Sequence, residues 1–312
     1  MAAYSKAILF YNEKSGQSNR KDLRQKIRAH FDEHNILLEI FVIPKPPEEI
    51  SEIVSQAVSE GVDLFLAAGG DGTVSMVGNA LLGSEIPLGI LPLGTGNLLA
   101  QELKVPVKLE KALALITGND HDVIKMDTFQ LKERNYILNL SVGLTPKVME
   151  STESKEKQQL GVIAYLLSFI QQILGLKLHR FTVDYDHHKE AYTASEILIT
   201  NSQATGVEPL KWSDDVFVND GYLDMLIIRA ANIFDLLGLI ISIFVHRQKY
   251  NPVIKYIQFK EYCQITTKPP TRTQADGDPV GQTPVKILVD PGSLKVIASK
   301  KGNYQKDKRS EP

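Results

Sequence analysis

The residues best suited to chemistry lie in two short glycine-rich stretches. Ala67-Ala68-Gly69-Gly70-Asp71-Gly72-Thr73 follows the apolar run 62–67, where a buried strand hands over to a helix. Gly69, Gly70 and Gly72 let the backbone approach a phosphate closely, while amide N–H groups and the helix amino terminus supply positive potential. Asp71 is placed to reach a magnesium ion, and Thr73 offers a hydroxyl. The same residues also suit a plain strand-to-helix turn capped by Asp or Thr. A second turn, Leu91-Pro92-Leu93-Gly94-Thr95-Gly96-Asn97, follows the short apolar strand at 88–91. Ligands bind at the carboxyl ends of the strands in an open parallel sheet. Two such turns at successive strand ends would therefore face one another across the same edge of the sheet, with Gly94, Thr95 and Asn97 as candidate phosphate contacts in the second. Neither turn contains Gly-x-x-x-x-Gly-Lys-Ser/Thr or Gly-x-Gly-x-x-Gly, so the P-loop and dinucleotide fingerprints are absent.

Two further turns carry carboxylates. Val218-Asn219-Asp220-Gly221-Tyr222 has the signature of a hairpin turn, and Gln274-Ala275-Asp276-Gly277-Asp278 is by itself a common turn. His187-His188 sits in a polar break and reads as a solvated turn, since no further His or Cys stands at zinc-ligand spacing. Trp212, beside Lys211, Asp214 and Asp215, reads as a loop anchor that could border a ligand entrance.

These turns need elements to hold them. Up to residue 117, strand patterns (7–11, 37–43, 62–67, 88–91) alternate with helix patterns (19–34, 47–60, 73–82, 109–117), which implies a parallel sheet with helices on both faces. From about residue 126 the texture changes to strands at 136–142, 181–185, 195–200, 223–229, 254–259, 263–267 and 285–289, mostly antiparallel, with helices at 160–176 and 233–247. The expected division is an α/β nucleotide-binding domain at 1–126, a β-rich domain at 127–299 and a disordered polar tail at 300–312. The 312 residues suffice for about two domains. A net charge of -2 gives no field that would draw the whole chain onto nucleic acid. The apolar stretch 233–245, interrupted by Asp235, falls short of the roughly 20 residues a membrane span needs. It reads as a packed helix, with a helix dipping into a membrane surface as the alternative. The single cysteine, Cys263, allows no internal disulfide and fits a cytoplasmic setting, and the first residues do not read as a signal peptide.

Taken together, Gly69-Gly70-Asp71-Gly72-Thr73 and Pro92-Leu93-Gly94-Thr95-Gly96-Asn97 resemble the diacylglycerol kinase catalytic domain, in the bacterial lipid kinase branch related to sphingosine kinases. The resemblance spans nearly the whole chain. It implies a nucleotide-binding domain like those of phosphofructokinase and NAD kinase, followed by a β-sandwich. It also implies ATP and Mg2+ as cofactors and a lipid hydroxyl as phosphoryl acceptor. Asn12, in Tyr11-Asn12-Glu13-Lys14-Ser15-Gly16, would help hold the nucleotide. The Asp220 carboxylate and the carbonyls of Phe217 and Tyr222 would bind a structural magnesium, oxygen ligands that suit a hard cation. Asp276 would be the general base and Asp71 the second catalytic carboxylate. A lipid acceptor implies contact with a membrane surface, to which Lys300, Lys301, Lys306, Lys308 and Arg309 could contribute. Departures from the pattern are Glu13 in place of proline, Pro44 where relatives often have threonine, Leu98 in place of Asp and Asp278 in place of Glu. The rival readings are a NAD kinase or phosphofructokinase relative, which shares the Gly-Gly-Asp-Gly turn, and a binding protein that has lost catalysis. The acceptor lipid and the oligomeric state are not legible in the sequence.

Overall fold

The computed structural model describes residues 4–13, 15, 20–44, 49–143, 177–204, 211–302 and 304–305. Its first half runs Lys6–Tyr11 (β1), Arg20–Glu33 (α1), Leu37–Val42 (β2), Glu49–Ser59 (α2), Leu64–Gly69 (β3), Asp71–Ala80 (α3), Leu88–Pro92 (β4), Leu98–Glu102 (α4) and Leu109–Thr117 (α5). β1, β3 and β4 are apolar without alternation and almost wholly buried, as parallel strands covered on both faces must be. They pair in the order β2-β1-β3-β4, all parallel. α2 turns Ile50, Val54 and Ala57 inward at helical spacing, and α5 does so with Ala112, Leu113, Leu115 and Ile116. Every strand and helix expected here is present, shifted by a few residues at the ends, and α4 is an addition.

The second half comprises His121–Leu131 (β5), Arg134–Tyr136 (β6), Asn139–Gly143 (β7), His179–Tyr185 (β8), His188–Ala194 (β9), Glu196–Thr200 (β10), Leu223–Ile228 (β11), Ile233–Phe244 (α6), Ile254–Phe259 (β12), Tyr262–Thr267 (β13), Arg272–Ala275 (β14), Asp278–Gln282 (β15) and Val285–Ser299 (β16). One sheet has the order β12-β11-β10-β7-β14-β15 and is antiparallel throughout. Its inner face, including Leu140, Val142, Ile197, Ile199 and Ala275, packs against Phe129, Phe181, Cys263 and Ile287 of the other sheet to form the sandwich core. Asp186 and His187, both at positive φ, make the tight turn between β8 and β9. The helix expected at 160–176 lies outside the described residues.

The two halves share a sheet. β16 pairs along its length with β5, at one end with β13 and at the other with β4 in parallel. Val285 and Ile287 thus belong to the sandwich core, and Leu294, Val296, Ile297 and Ala298 to the α/β core. Among the described residues no helix is long and apolar enough to cross a membrane.

Candidate active site

β3 and β4 end level, with Gly69 opposite Pro92, and β1 lies on the other side of β3 with Tyr11 opposite Ala68. Asn12 and both glycine-rich turns therefore lie along one edge of the sheet. The Asn12 amide donates to Thr73 Oγ1 at 2.9 Å, and its backbone N–H donates to the Ala68 carbonyl at 3.0 Å. Gly70 and Gly94 meet backbone to backbone: a Cβ on Gly94 would lie 2.5 Å from the Gly70 Cα. The second turn closes on itself through Asn97, whose Oδ1 accepts from Gly94 N–H at 2.9 Å and whose Nδ2 donates to the Gly94 carbonyl at 2.8 Å. Thr95 stays exposed at its tip. The Gln101 amide, which sequence reasoning missed, donates to the Gly96 carbonyl at 2.8 Å.

Asp71 joins the two turns. Its half-buried carboxylate accepts from the backbone N–H groups of Asn97, Leu98 and Leu99, and burial pushes its carboxyl above the usual range against those donors. Gly70, Asp71 and the Asn97 loop thus form one hydrogen-bonded unit, with Gly72 open on its rim.

Asp276 arrives from the other half of the molecule. It sits at positive φ in the turn after β14, and its N–H donates to the Asn139 carbonyl at 2.9 Å. Its carboxylate accepts from Ile137 N–H at 2.8 Å, Leu138 N–H at 2.9 Å, Asn139 N–H at 3.0 Å and the Ser75 hydroxyl at 2.9 Å. Ser75 stands on α3, one helical turn beyond Asp71, so this bond crosses between the halves. The approach depends on Gly78: a Cβ there would lie 2.6 Å from Ile137 Cδ1, so its absence lets the 137–139 segment seat on α3. Burial pushes the Asp276 carboxyl up, against four donors that favour its ionised form, and Asp71 lies near enough to add repulsion at its own carboxylate. Asp278 is exposed and faces Arg134 at 3.5 Å.

Beside this cradle lies a cavity of about 200 Å³ whose wall includes Leu98, Asn139, Leu198, Trp212 and Gln274. Leu98, a departure from the expected pattern, thus forms part of a cavity wall instead of supplying a carboxylate. Glu102 on α4, also missed, accepts from the Ser202 hydroxyl at 2.7 Å and from Ala204 N–H at 3.1 Å, a second bond between the halves.

The Asp220 turn is some way along the chain from these groups. One Asp220 oxygen accepts from Tyr222 N–H at 3.0 Å, and Asp127 accepts from Gly221 and Gly292 N–H, each at 2.7 Å. Asp224 Oδ2 is buried without a partner. Burial first, then the nearby Asp220 charge, pushes Asp127 to about 6 and Asp224 to about 7. The unpartnered Asp224 oxygen, close enough to feel the Asp220 charge, fits a hard cation such as magnesium. Among the described residues no three His, Cys, Asp or Glu side chains converge as a metal cage, so backbone carbonyls, those of Phe217 and Tyr222 included, would have to complete the ligand set.

The fold and these turns define a two-domain kinase scaffold, an α/β half joined to an antiparallel sandwich. Residues 6–131 match the Diacylglycerol kinase catalytic domain, and residues 139–298 match the YegS C-terminal NAD kinase beta sandwich-like domain. The chain belongs to the family of YegS-like lipid kinases. It is 32% identical over 240 residues to a protein of Escherichia fergusonii named probable lipid kinase YegS, a match that covers 75% of this chain and 77% of that one. It is 27% identical over 303 residues to an Enterobacter protein named probable lipid kinase YegS-like, covering 94% and 96% of the two chains. A crystal structure described as a diacylglycerol kinase from Bacillus anthracis shares the fold, with a TM-score of 0.77 at 23% identity over 96% of this chain and 99% of the other.

Proposed function

We propose that this kinase transfers the γ-phosphoryl group of ATP to the hydroxyl of a lipid. The observation that carries the reading is the Asp276 carboxylate, delivered from the sandwich half onto α3 immediately behind the first glycine-rich turn. Gly69 to Gly72 and Gly94 to Asn97 cradle the phosphates, with Asn12 and Thr73 fixing the base of the first turn. Magnesium, when bound with ATP, offsets charge on the phosphates; a further ion held by Asp220 with the Phe217 and Tyr222 carbonyls would brace the sandwich. An ionised carboxylate offers about four lone-pair positions, and Asp276 has four donors. Three are fixed backbone N–H groups, so the rotatable Ser75 hydroxyl is the donor that the acceptor can displace. The acceptor oxygen then bonds to the γ-phosphorus as the bond to the ADP oxygen breaks, and its proton passes to Asp276.

A lipid acceptor requires access to a membrane surface. α6 supports this: Phe234 is 78% exposed, Ile241 61% and Phe244 59%, all along one stripe, while Leu239 and Ile243 on the other side pack on the sheet. Exposed Arg247 follows the helix, and Lys249 beyond it pairs with Asp215. An apolar stripe that ends beside a basic residue suits shallow insertion into an anionic bilayer.

The test is labelled ATP offered with a bacterial lipid extract and, separately, with NAD. A labelled lipid is the expected product. Labelling of NAD alone would replace this reading with the NAD kinase one.

A further inference from the structure

The segment that follows β16 is tied down at two successive residues. Gly302 N–H donates to the Ser299 carbonyl at 2.7 Å, and a Cβ on Gly302 would lie 2.7 Å from the Tyr304 ring, so the glycine lets the chain turn back and seat that ring. Tyr304 is 8% exposed in the α/β core, and its hydroxyl donates to Asp122 Oδ2 of β5 at 2.6 Å. The next residue is held by its backbone alone. Gln305 N–H donates to Asn219 Oδ1 at 2.8 Å, and Asn219 Nδ2 donates to the Gln305 carbonyl at 2.8 Å. Asn219 thus uses both ends of its side-chain amide on a single residue.

Asn219 stands inside the turn at 217–222, between the Phe217 carbonyl on one side and Asp220 with the Tyr222 carbonyl on the other. The Val218 carbonyl accepts from Asp127 N–H at 2.8 Å, and Gly221 N–H donates to Asp127 Oδ2 at 2.7 Å. β5 therefore pins the turn at 218 and at 221, and the segment after β16 pins it between them. Oxygens that must converge on one ion come here from a six-residue stretch of chain. Each tie made before the ion arrives removes ordering that binding would otherwise have to supply.

We infer that Asn219 and the backbone of Gln305 are positioning groups of the cation turn, so that docking of the segment after β16 and binding of a divalent cation strengthen one another. The inference rests on the reading that Asp220, with the Phe217 and Tyr222 carbonyls, holds magnesium. It gives that ion a second role, fastening the segment that leaves the α/β core onto the turn that leads into β11. Linkage makes the coupling reciprocal: the factor by which the clamp raises magnesium affinity equals the factor by which magnesium stabilises the clamp.

The test uses the full chain without nucleotide, with magnesium chloride as the probe. Gln305→Pro removes the N–H that donates to Asn219, whereas Gln305→Ala keeps the backbone and discards a side chain the clamp does not use. Magnesium affinity is read from the rise in melting temperature across a titration, with Asp220→Ala marking the response that remains without the side-chain ligand. Gln305→Ala should respond like the parent, and Gln305→Pro and Asn219→Ala should each need at least about fivefold more magnesium for the same rise. Hydrogen exchange at the Gln305 amide gives the reverse measurement. Saturating magnesium should slow it in the parent by a matching factor and leave it unchanged in Asp220→Ala. A clamp that only packs would lower the melting temperature of Gln305→Pro equally with and without magnesium and leave exchange indifferent to the ion; that result overturns the coupling while the cation reading stands. A parent that responds to magnesium no more than Asp220→Ala overturns the cation reading and the coupling with it. Should Asp220→Ala fail to fold, the difference between Gln305→Pro and Gln305→Ala decides the matter alone.

Discussion

Asp71 and Asp276 are built alike. Each is a partly buried carboxylate that accepts from three successive backbone N–H groups of another segment, 97–99 for Asp71 and 137–139 for Asp276. They differ in what they join. Asp71 ties one glycine-rich turn to the next within the α/β half, whereas Asp276 also accepts from Ser75 and so fastens the sandwich half onto α3. In the proposed reaction the same local device would stiffen a phosphate cradle in one place and bring the base to it in the other.

Asparagine at either position separates these roles. In Asp276→Asn, lipid phosphorylation should fall by at least about two orders of magnitude while ATP affinity holds, because the amide cannot take a proton. The cradle adds a consequence for stability. One amide N–H must face a backbone N–H where an oxygen stood, so folding stability should drop by about 1–3 kcal/mol, read from chemical denaturation. Near-normal turnover by a folded variant would remove Asp276 from the base role. Asp71→Asn should instead weaken ATP binding, measured by calorimetry, in proportion to its loss of turnover.

Glycine substitutions test the cradle itself. Gly94→Ala places its Cβ 2.5 Å from Gly70 Cα and must spread the turns, so ATP affinity should fall by at least about tenfold. Gly70→Val meets Gly94 Cα at 3.3 Å and should act in the same direction. Gly72→Ala meets nothing within 4 Å, and its stability should stay within about 0.5 kcal/mol of the parent. Equal losses of ATP affinity in Gly94→Ala and Gly72→Ala would show that the contact between the turns is not what binds ATP.

The Glu102 contact between the halves has a pH signature. Burial raises its carboxyl above the ordinary glutamate range, so the folded state holds a proton that the unfolded state has released. Its contribution to stability is therefore fullest below the unfolded pKa and falls as pH rises through the folded one. Glu102→Gln should flatten that part of the stability-pH curve, seen as a smaller fall in melting temperature between acid and neutral pH than in the parent. An unchanged slope would assign no proton to Glu102. The smallest effect expected on soluble turnover is that of Phe234→Ser with Phe244→Ser on α6, which should reduce cosedimentation with anionic vesicles and leave ATP affinity as it was.

Much of the site was legible because it is local. Strand-to-helix handovers at 67–73 and 91–97 announce themselves through glycine spacing after apolar runs, and the parallel order follows from alternation of strand and helix. Asp276 was found through resemblance; a short Asp-Gly-Asp turn by itself says nothing of Ser75, some 200 residues away in the chain, with which it bonds. Ser75 carried one faint signal, its place one helical turn after Asp71. Glu102 and Gln101 carried none, since a charged or amide residue reads as solvated until a tertiary surface buries it.

By itself the sequence determined the two glycine-rich turns, the elements that hold them and the change from α/β to antiparallel texture. These rest on periodicity and backbone freedom within a few residues. Only the tertiary structure decided that Gly70 touches Gly94, that β16 stitches both cores into one sheet, that Leu98 lines a cavity and that Asn219 brackets the Gln305 backbone. These depend on segments far apart in the chain meeting at contact distance, where one Cβ or one side-chain amide decides the outcome and no local pattern records it.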